Sequence, residues 1–151
     1  MKTLPMSLSD FLLNKSYCKI KMHPIASNHF KIISKINGVK GVFLVDTGAS
    51  TTFIDLNLKE KFKLTSKPSN IKASGAGPDK IDTFLSKNNT LSIGKWVKTR
   101  FPIALIDLSS VNNAFESINA SAVDGIIGAD VLKKGFAVID YEKRYLYLKH
   151  K

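Results

Sequence analysis

Apolar and polar residues alternate over two neighbouring segments that begin near Asn28. The apolar positions of this pattern are Phe30, Ile32, Ile36, Val42 and Leu44. A period of two residues is typical of strands that bury one face. Asn37-Gly38 separates the two segments and favours the left-handed backbone of a two-residue hairpin turn. The pattern therefore predicts a β-hairpin whose second strand ends at Asp46.

Shorter apolar segments predict further strands along the rest of the chain. They cover residues 52–54, 71–73, 80–85, 91–93, 96–106, 123–128, 136–139 and 145–148. Asp55 is a candidate N-cap for a short helix over 57–62, and Gly135 is a candidate C-cap for a helix over 129–134. The polar segment 109–122 predicts a loop with at most one helical turn.

Eight to ten short strands with two small helices indicate an all-β domain, either a barrel or a sandwich. Residues 26–151 are predicted to form this single domain. Residues 1–25 show no clear period and include Pro5 and Pro24, so they are interpreted as an N-terminal arm or irregular extension. We find no internal repeat and no linker.

Composition removes several classes of function. The net charge is +11, but only two of the 23 basic residues are arginines, and the lysines are spread over the whole length. Recognition of bases and phosphates favours clustered arginines, so nucleic acid is not expected as a partner. No apolar segment approaches the roughly 20 residues that span a bilayer, and no signal peptide is recognised. We therefore expect a cytoplasmic location and no membrane partner. The single cysteine and three scattered histidines predict neither a disulfide, a metal site nor a cofactor.

The strongest chemical signal is a carboxylate at the end of an apolar strand. Phe43-Leu44-Val45 runs directly into Asp46-Thr47-Gly48-Ala49-Ser50. A charge in this position is costly to desolvate unless it is hydrogen-bonded or paired, and functional groups concentrate at such places. An ordinary strand-end carboxylate that caps a turn is the simpler alternative.

These residues resemble the active-site motif of the retropepsin-like aspartic proteases, in particular their single-domain bacterial members. Three further segments follow in the order of that family: Ser74-Gly75-Ala76-Gly77, then Asp124-Gly125-Ile126-Ile127-Gly128-Ala129-Asp130, then Val138-Ile139-Asp140-Tyr141. The similarity covers about residues 28–149. It implies a closed retropepsin-like β-barrel with one or two short helices.

The resemblance also implies a role for each residue of the motif. Asp46 would be the catalytic carboxylate, Thr47 would join two halves of the site by its hydroxyl, and Gly48 would turn an amide towards the carboxylate. Ala49 and Ser50 would leave room for substrate, and Ser50 would be placed to hydrogen-bond the outer carboxylate oxygen.

Two more segments are expected to bind substrate. Gly75, Ala76 and Gly77 would form the tip of a flap that closes over a peptide, although a plain glycine-rich hairpin turn remains the alternative. Ile127 and Gly128 would line the site from the second conserved element of the family.

The chain contains the Asp-Thr-Gly motif once, so one chain holds half of a two-carboxylate site. The expected protein is a homodimeric aspartic endopeptidase that cleaves a peptide or protein substrate by a water between two copies of Asp46. The strand at Tyr145–Leu148 is a candidate for the dimer sheet. The alternative function is a catalytically silent module of the same fold that dimerises or binds peptides; a basic nucleic-acid binder ranks last.

Overall fold

A computed structural model describes residues 1–74 and 80–150, with the side chains of 70–74, 80 and 81 left aside. Strands predominate and the helices are few. The helices are α1 (Leu8–Leu13), α2 (Ser109–Ser117) and α3 (Ala129–Lys134), with a 3-10 turn at Leu56–Leu58. The strands are β1 (Tyr17–Lys21), β2 (His23–Pro24), β3 (Phe30–Ile36), β4 (Val39–Val45), β5 (Phe53–Asp55), β6 (Ser66–Ser74), β7 (Lys80–Ile93), β8 (Trp96–Ile106), β9 (Gly125–Ile127), β10 (Val138–Asp140) and β11 (Tyr145–Lys149).

Six of these strands close into a barrel, in the order β3-β4-β9-β5-β8-β7. The closing contact pairs Lys35 and Ile36 of β3 with Ser92 and Leu91 of β7. The pairs β4–β9 and β5–β8 are parallel, and the remaining pairs are antiparallel. This closed barrel confirms the predicted retropepsin-like fold.

The hairpin predicted from the alternating pattern is present as β3 and β4. Asn37 and Gly38 have φ values of 50° and 80°, the left-handed pair that a type I′ turn requires. Phe30 pairs with Val45 and Ile36 with Val39, so the register holds over the full length of both strands. The core side chains Ile32, Ile36 and Phe43 are fully buried. The second strand therefore delivers Asp46 to the end of the barrel.

Strand β7 is longer than the sequence predicts. The segments 80–85 and 91–93 belong to one strand of 14 residues. Its pairing with β8 shifts register on both sides of Asn89, and Asn88 has a φ of 62°. A bulge of this kind interrupts the alternation of apolar residues without ending the strand. The polar residues around Asn88 therefore led to a prediction of two separate strands instead of one.

Residues 8–24, expected as an arm or irregular segment, form α1, β1 and β2. The Ser7 hydroxyl caps α1 by accepting from the amide of Asp10 at 3.0 Å. β1 pairs with β11 from Tyr17–Lys149 to Lys21–Tyr145, which joins the two ends of the chain. Sequence alternation alone does not reveal a partner that lies some 130 positions away.

The second sheet contains three strands in the order β1-β11-β10. Strand β11 therefore has a neighbour on each side and offers no edge for pairing with another chain. Within one subunit Tyr145–Leu148 is thus an inner strand, and its part in a dimer sheet stays a prediction. In the described residues the free edges of this sheet belong to β1 and β10.

The helical predictions are met unevenly. Helix α3 lies where it was predicted, with Gly135 at its C-cap. The predicted helix at 57–62 is a single 3-10 turn, although Asp55 caps it through the amide of Asn57. Helix α2 is longer than the single turn expected. None of the helices in the described part of the chain has the length and apolar character needed to cross a membrane.

Candidate active site

Asp46 follows β4 directly and is held by its backbone to β9. Its amide donates to the carbonyl of Ile127 at 3.0 Å, which extends the β4–β9 pairing by one residue. The side chain is half-buried, and Oδ1 accepts a 2.8 Å hydrogen bond from the amide of Gly48. The amide of Gly48 thus faces the carboxylate and orients it, while Thr47 beside it is exposed.

Gly48 leaves space beside the carboxylate and has no unusual φ. Its backbone is outside the left-handed region, but a Cβ atom built there would lie 3.2 Å from Oδ1 of Asp46. Such a contact is tighter than ordinary packing and would press on the carboxylate oxygen that the Gly48 amide binds. The glycine therefore lets the amide approach the acid closely.

The loop after Asp46 packs against the start of α3. The amide of Ala129 donates to the carbonyl of Ala49 at 2.7 Å. A Cβ atom on Gly128 would lie only 2.7 Å from the carbonyl oxygens of Ala49 and Thr51. Gly128 thus permits two backbone segments to touch, which fixes the Asp46 loop to the rest of the barrel.

Thr52 and Asp130 form a buried polar link that sequence reasoning missed. The Thr52 hydroxyl donates to Oδ1 of Asp130 at 2.6 Å and accepts from the amide of Gly128 at 3.0 Å. Thr52 is 1% exposed. The sequence carries little signal for this link, because Thr52 follows two other hydroxyl residues, Ser50 and Thr51, directly before β5. The partner itself comes from 78 residues further along the chain.

The structure places two predicted substrate-binding residues differently from what was expected. The side chain of Ile127 is fully buried in the barrel core, so its contribution to the site is the carbonyl that accepts from Asp46. Ser50 is exposed, and no hydrogen bond joins it to the Asp46 carboxylate in the described structure. Ala49 is half-buried, and its carbonyl binds α3.

The expected flap tip, Gly75, Ala76 and Gly77, lies outside the described residues. Its two supporting strands, β6 and β7, are described and pair from Ser66–Ser86 to Ser74–Lys80, with a register shift between Ser69 and Ala73. The role of the tip stays a prediction.

Two cavities border the Asp46 loop. A cavity of about 110 Å³ is lined by Asp46 itself, together with Asn28, Phe30, Ile139 and Tyr141. A second cavity of about 410 Å³ contains Thr47 and is mainly apolar. Its wall includes Leu132, Phe136 and Ile139, and Phe136 remains 67% exposed. An apolar surface therefore lies directly beside the carboxylate.

The acids nearest in sequence to the matched motifs are engaged elsewhere. Asp124 accepts from the amide of Val42 at 2.9 Å and from the Lys61 ammonium at 3.4 Å. Val42 precedes Asp46 by four strand residues, or about 13 Å. Among the described residues that line the two cavities, Asp46 is the sole carboxylate. A single chain therefore presents one acid, which is half of what a two-carboxylate mechanism uses.

Comparisons with known proteins agree with this geometry. A family model described as "Aspartyl protease" matches residues 32–131, which include Asp46, Thr52, Gly128 and Asp130. No curated protein sequence matches the chain.

Solved structures share the fold at low sequence identity. A retropepsin-like aspartic protease from Rickettsia conorii is 20% identical, with a TM-score of 0.57 over 87% of this chain and 90% of that one. The retroviral protease-like domain of Ddi1 from Leishmania major is 17% identical, with a TM-score of 0.54 over 80% and 88%. The EIAV protease in complex with the inhibitor HBY-793 is 18% identical, with a TM-score of 0.51 over 72% and 88%. Since the family model spans more than half of the residues, the chain belongs to the aspartyl protease family.

Proposed function

We propose that the protein is an aspartic endopeptidase that acts as a homodimer, with one Asp46 carboxylate from each subunit in a shared active site. The observation that carries the proposal is the Asp46 loop. A half-buried carboxylate at the end of a barrel strand is oriented by the Gly48 amide and stands beside an exposed Thr47. The family match and the retropepsin-like barrel support the same activity.

The chemistry follows from two carboxylates at close range. Two like charges about 3 Å apart do not both ionise, so the pair holds one proton. The ionised Asp46 takes a proton from a water as that water attacks the peptide carbonyl carbon. The protonated Asp46 gives its proton to the carbonyl oxygen. When the tetrahedral intermediate collapses, the carboxyl that now holds a proton gives it to the leaving amine as the C–N bond breaks. The other carboxylate takes a hydroxyl proton from the gem-diol, so the carbonyl re-forms and the pair again holds one proton.

The arrangement of the surface around Asp46 favours a second copy as the partner. A two-fold axis beside Asp46 brings the same patch of each subunit together. That patch includes the apolar cavity at Thr47 and Phe136, and the free edge of β10. Ile139 of β10 lines both cavities. In this arrangement β10, rather than β11, lies at the contact between subunits.

The test compares Asp46→Asn with the matched control Asp10→Asn, which removes the same charge from an exposed position in α1. Cleavage of an unfolded protein is measured from acid to neutral pH, and the oligomeric state by sedimentation. Wild type and Asp10→Asn are expected to cleave as dimers, while Asp46→Asn dimerises without cleaving. Equal cleavage by Asp46→Asn, or a wild-type protein that is active as a monomer, would contradict the proposal. A dimer that binds peptides and leaves them intact would instead indicate the silent module.

A further inference from the structure

We propose that a second site, remote from Asp46, binds a small polyanion with two or more linked phosphates. The site is a cavity of about 890 Å³, the largest of the cavities described. It lies between the segment after the 3-10 turn, the start of β6 and the irregular middle of β7. It shares no lining residue with the two cavities beside the Asp46 loop.

Three lysines line this cavity, and no acidic residue does. Lys63, Lys67 and Lys87 come from three different segments and converge on one space. All three are exposed, and none has an ion pair with a described carboxylate. Ammonium groups that lack an acidic partner repel one another, and an anion between them removes that repulsion. The unbalanced positive charge therefore favours an anionic occupant.

The floor of the cavity is a fixed network of amides. The Asn37 side chain donates to the carbonyl of Phe62 at 2.9 Å and to Oδ1 of Asn89 at 3.0 Å, and accepts from the amide of Thr90 at 2.9 Å. Asn89 is 2% exposed and also donates to the carbonyl of Ser86 at 3.0 Å. These amides have protein partners already, so the floor is preformed and the lysines remain the groups available to a ligand.

The backbone that carries two of the lysines is unusual. Lys63 has a φ of 55°, a left-handed conformation that is uncommon for a residue other than glycine, asparagine or aspartate. Lys87 lies in the part of β7 where the register shifts against β8. Bulges and left-handed residues change the direction of side chains and are frequent at binding sites. Both features occur where the chain borders this cavity.

The lining also limits the chemistry of the ligand. It contains no aromatic residue on which a base could stack, and its cations are lysines rather than the arginines that form paired hydrogen bonds to phosphates or carboxylates. Lysine ammoniums act as point charges that suit phosphate oxygens. A single phosphate carries about two negative charges at neutral pH, fewer than the three ammonium groups that line the cavity, so a chain of phosphates is favoured.

The test is calorimetric titration of the protein with tripolyphosphate, using Lys63→Gln/Lys67→Gln/Lys87→Gln and a matched control. The control, Lys35→Gln/Lys40→Gln/Lys95→Gln, removes three exposed charges outside the cavity. Binding should weaken about tenfold or more in the first variant and less than about twofold in the control. Equal weakening in both variants, or no binding to wild type, would overturn the proposal.

Parallel titrations define the ligand and separate this site from the protease site. Tricarballylate, a tricarboxylate that carries fewer negative charges than tripolyphosphate, should bind about tenfold more weakly. ATP should bind no more tightly than tripolyphosphate, since no ring stacks on its base. Tighter binding of either compound would contradict the assigned ligand class. Asp46→Asn should bind tripolyphosphate as tightly as wild type does, whatever its proteolytic activity. Thermal melts check that every variant is folded.

Discussion

The hydroxyl of Thr52 lies 2.6 Å from Oδ1 of Asp130, and this contact joins the end of the Asp46 loop to helix α3. The same hydroxyl accepts from the amide of Gly128, and the same carboxylate oxygen accepts from the amide of Val131 at 2.8 Å. One buried side chain thus joins the residue before β5 to two polar groups of the segment 124–130, the amide of Gly128 and the carboxylate of Asp130. The position of Asp46 depends on this link, because its loop is held between β4 and α3.

Replacement of Thr52 by valine should therefore destabilise the fold and lower activity. Valine keeps the shape but removes the hydroxyl, which leaves the Gly128 amide unsatisfied at a buried position at a cost of about 1–3 kcal/mol. Thr52→Ser retains the hydroxyl and is expected to lose less than half as much stability. Urea denaturation measures the free energy of unfolding, and kcat/KM reports the placement of Asp46. Equal stability of the valine variant and wild type would show that the link contributes nothing.

The two glycines of the site should respond differently to alanine. Gly128→Ala forces a methyl group against two carbonyl oxygens at 2.7 Å. The free energy of unfolding should therefore fall by about 2 kcal/mol or more. Gly48→Ala meets only Oδ1 of Asp46, at 3.2 Å, so activity should fall while stability changes little. Denaturation curves and cleavage rates of both variants check this separation. Two variants with the same ratio of lost stability to lost activity would contradict it.

Local patterns in the sequence were sufficient for much of the barrel. The β3–β4 hairpin could be predicted because alternation and an Asn-Gly turn are both local signals, and the position of Asp46 follows from them. Helix α3 was predicted because Gly135 marks its end. The resemblance carried by Asp46-Thr47-Gly48 identified the family.

The remaining features depend on contacts between distant residues. The pairing of Tyr17 with Lys149 places β11 inside a sheet. No local sequence pattern predicts a pairing between residues so far apart. The Thr52–Asp130 bond is equally non-local. The polar residues at the Asn88 bulge predict a loop, so the sequence did not show that β7 is continuous. In the structure Asn89 is buried and hydrogen-bonded within the strand. Side-chain burial also removed Ile127 from the candidates for direct substrate contact.

A carboxylate at the start of α2 should make stability depend weakly on pH. The hydroxyl and amide of Ser109 hydrogen-bond to Asp107 and hold the pKa of this carboxyl below its usual value of 3.8. A lowered pKa in the folded state contributes stability above the unfolded pKa, and this contribution is lost as pH falls through the folded pKa. Ser109→Ala should raise the pKa of Asp107, which NMR titration measures, and should reduce the thermal stability slightly at neutral pH. An unchanged pKa of Asp107 in this variant would rule out the Ser109 hydroxyl as the cause, since the backbone amide bond remains.

Phe136 offers a way to separate folding of the subunit from its association. It has a φ of 45° and is 67% exposed beside Thr47, so a bulky side chain occupies a strained backbone position and contacts solvent. Asparagine tolerates the left-handed region better, by roughly 1 kcal/mol, but lacks the apolar surface. Phe136→Asn should therefore leave the unfolding free energy of the monomer equal or higher, while it weakens the proposed dimer at least about tenfold.

Sedimentation equilibrium gives the dimer dissociation constant, and denaturation at low protein concentration gives the stability of the monomer. Ile118→Asn is the matched control, since Ile118 is also an exposed apolar side chain, at 46%, but lines neither of the two cavities beside the Asp46 loop. A dimer as strong as wild type in the Phe136 variant would place the subunit contact elsewhere. If the dimer weakens and cleavage per dimer stays constant, then activity belongs to the assembled pair, because each chain supplies only one Asp46.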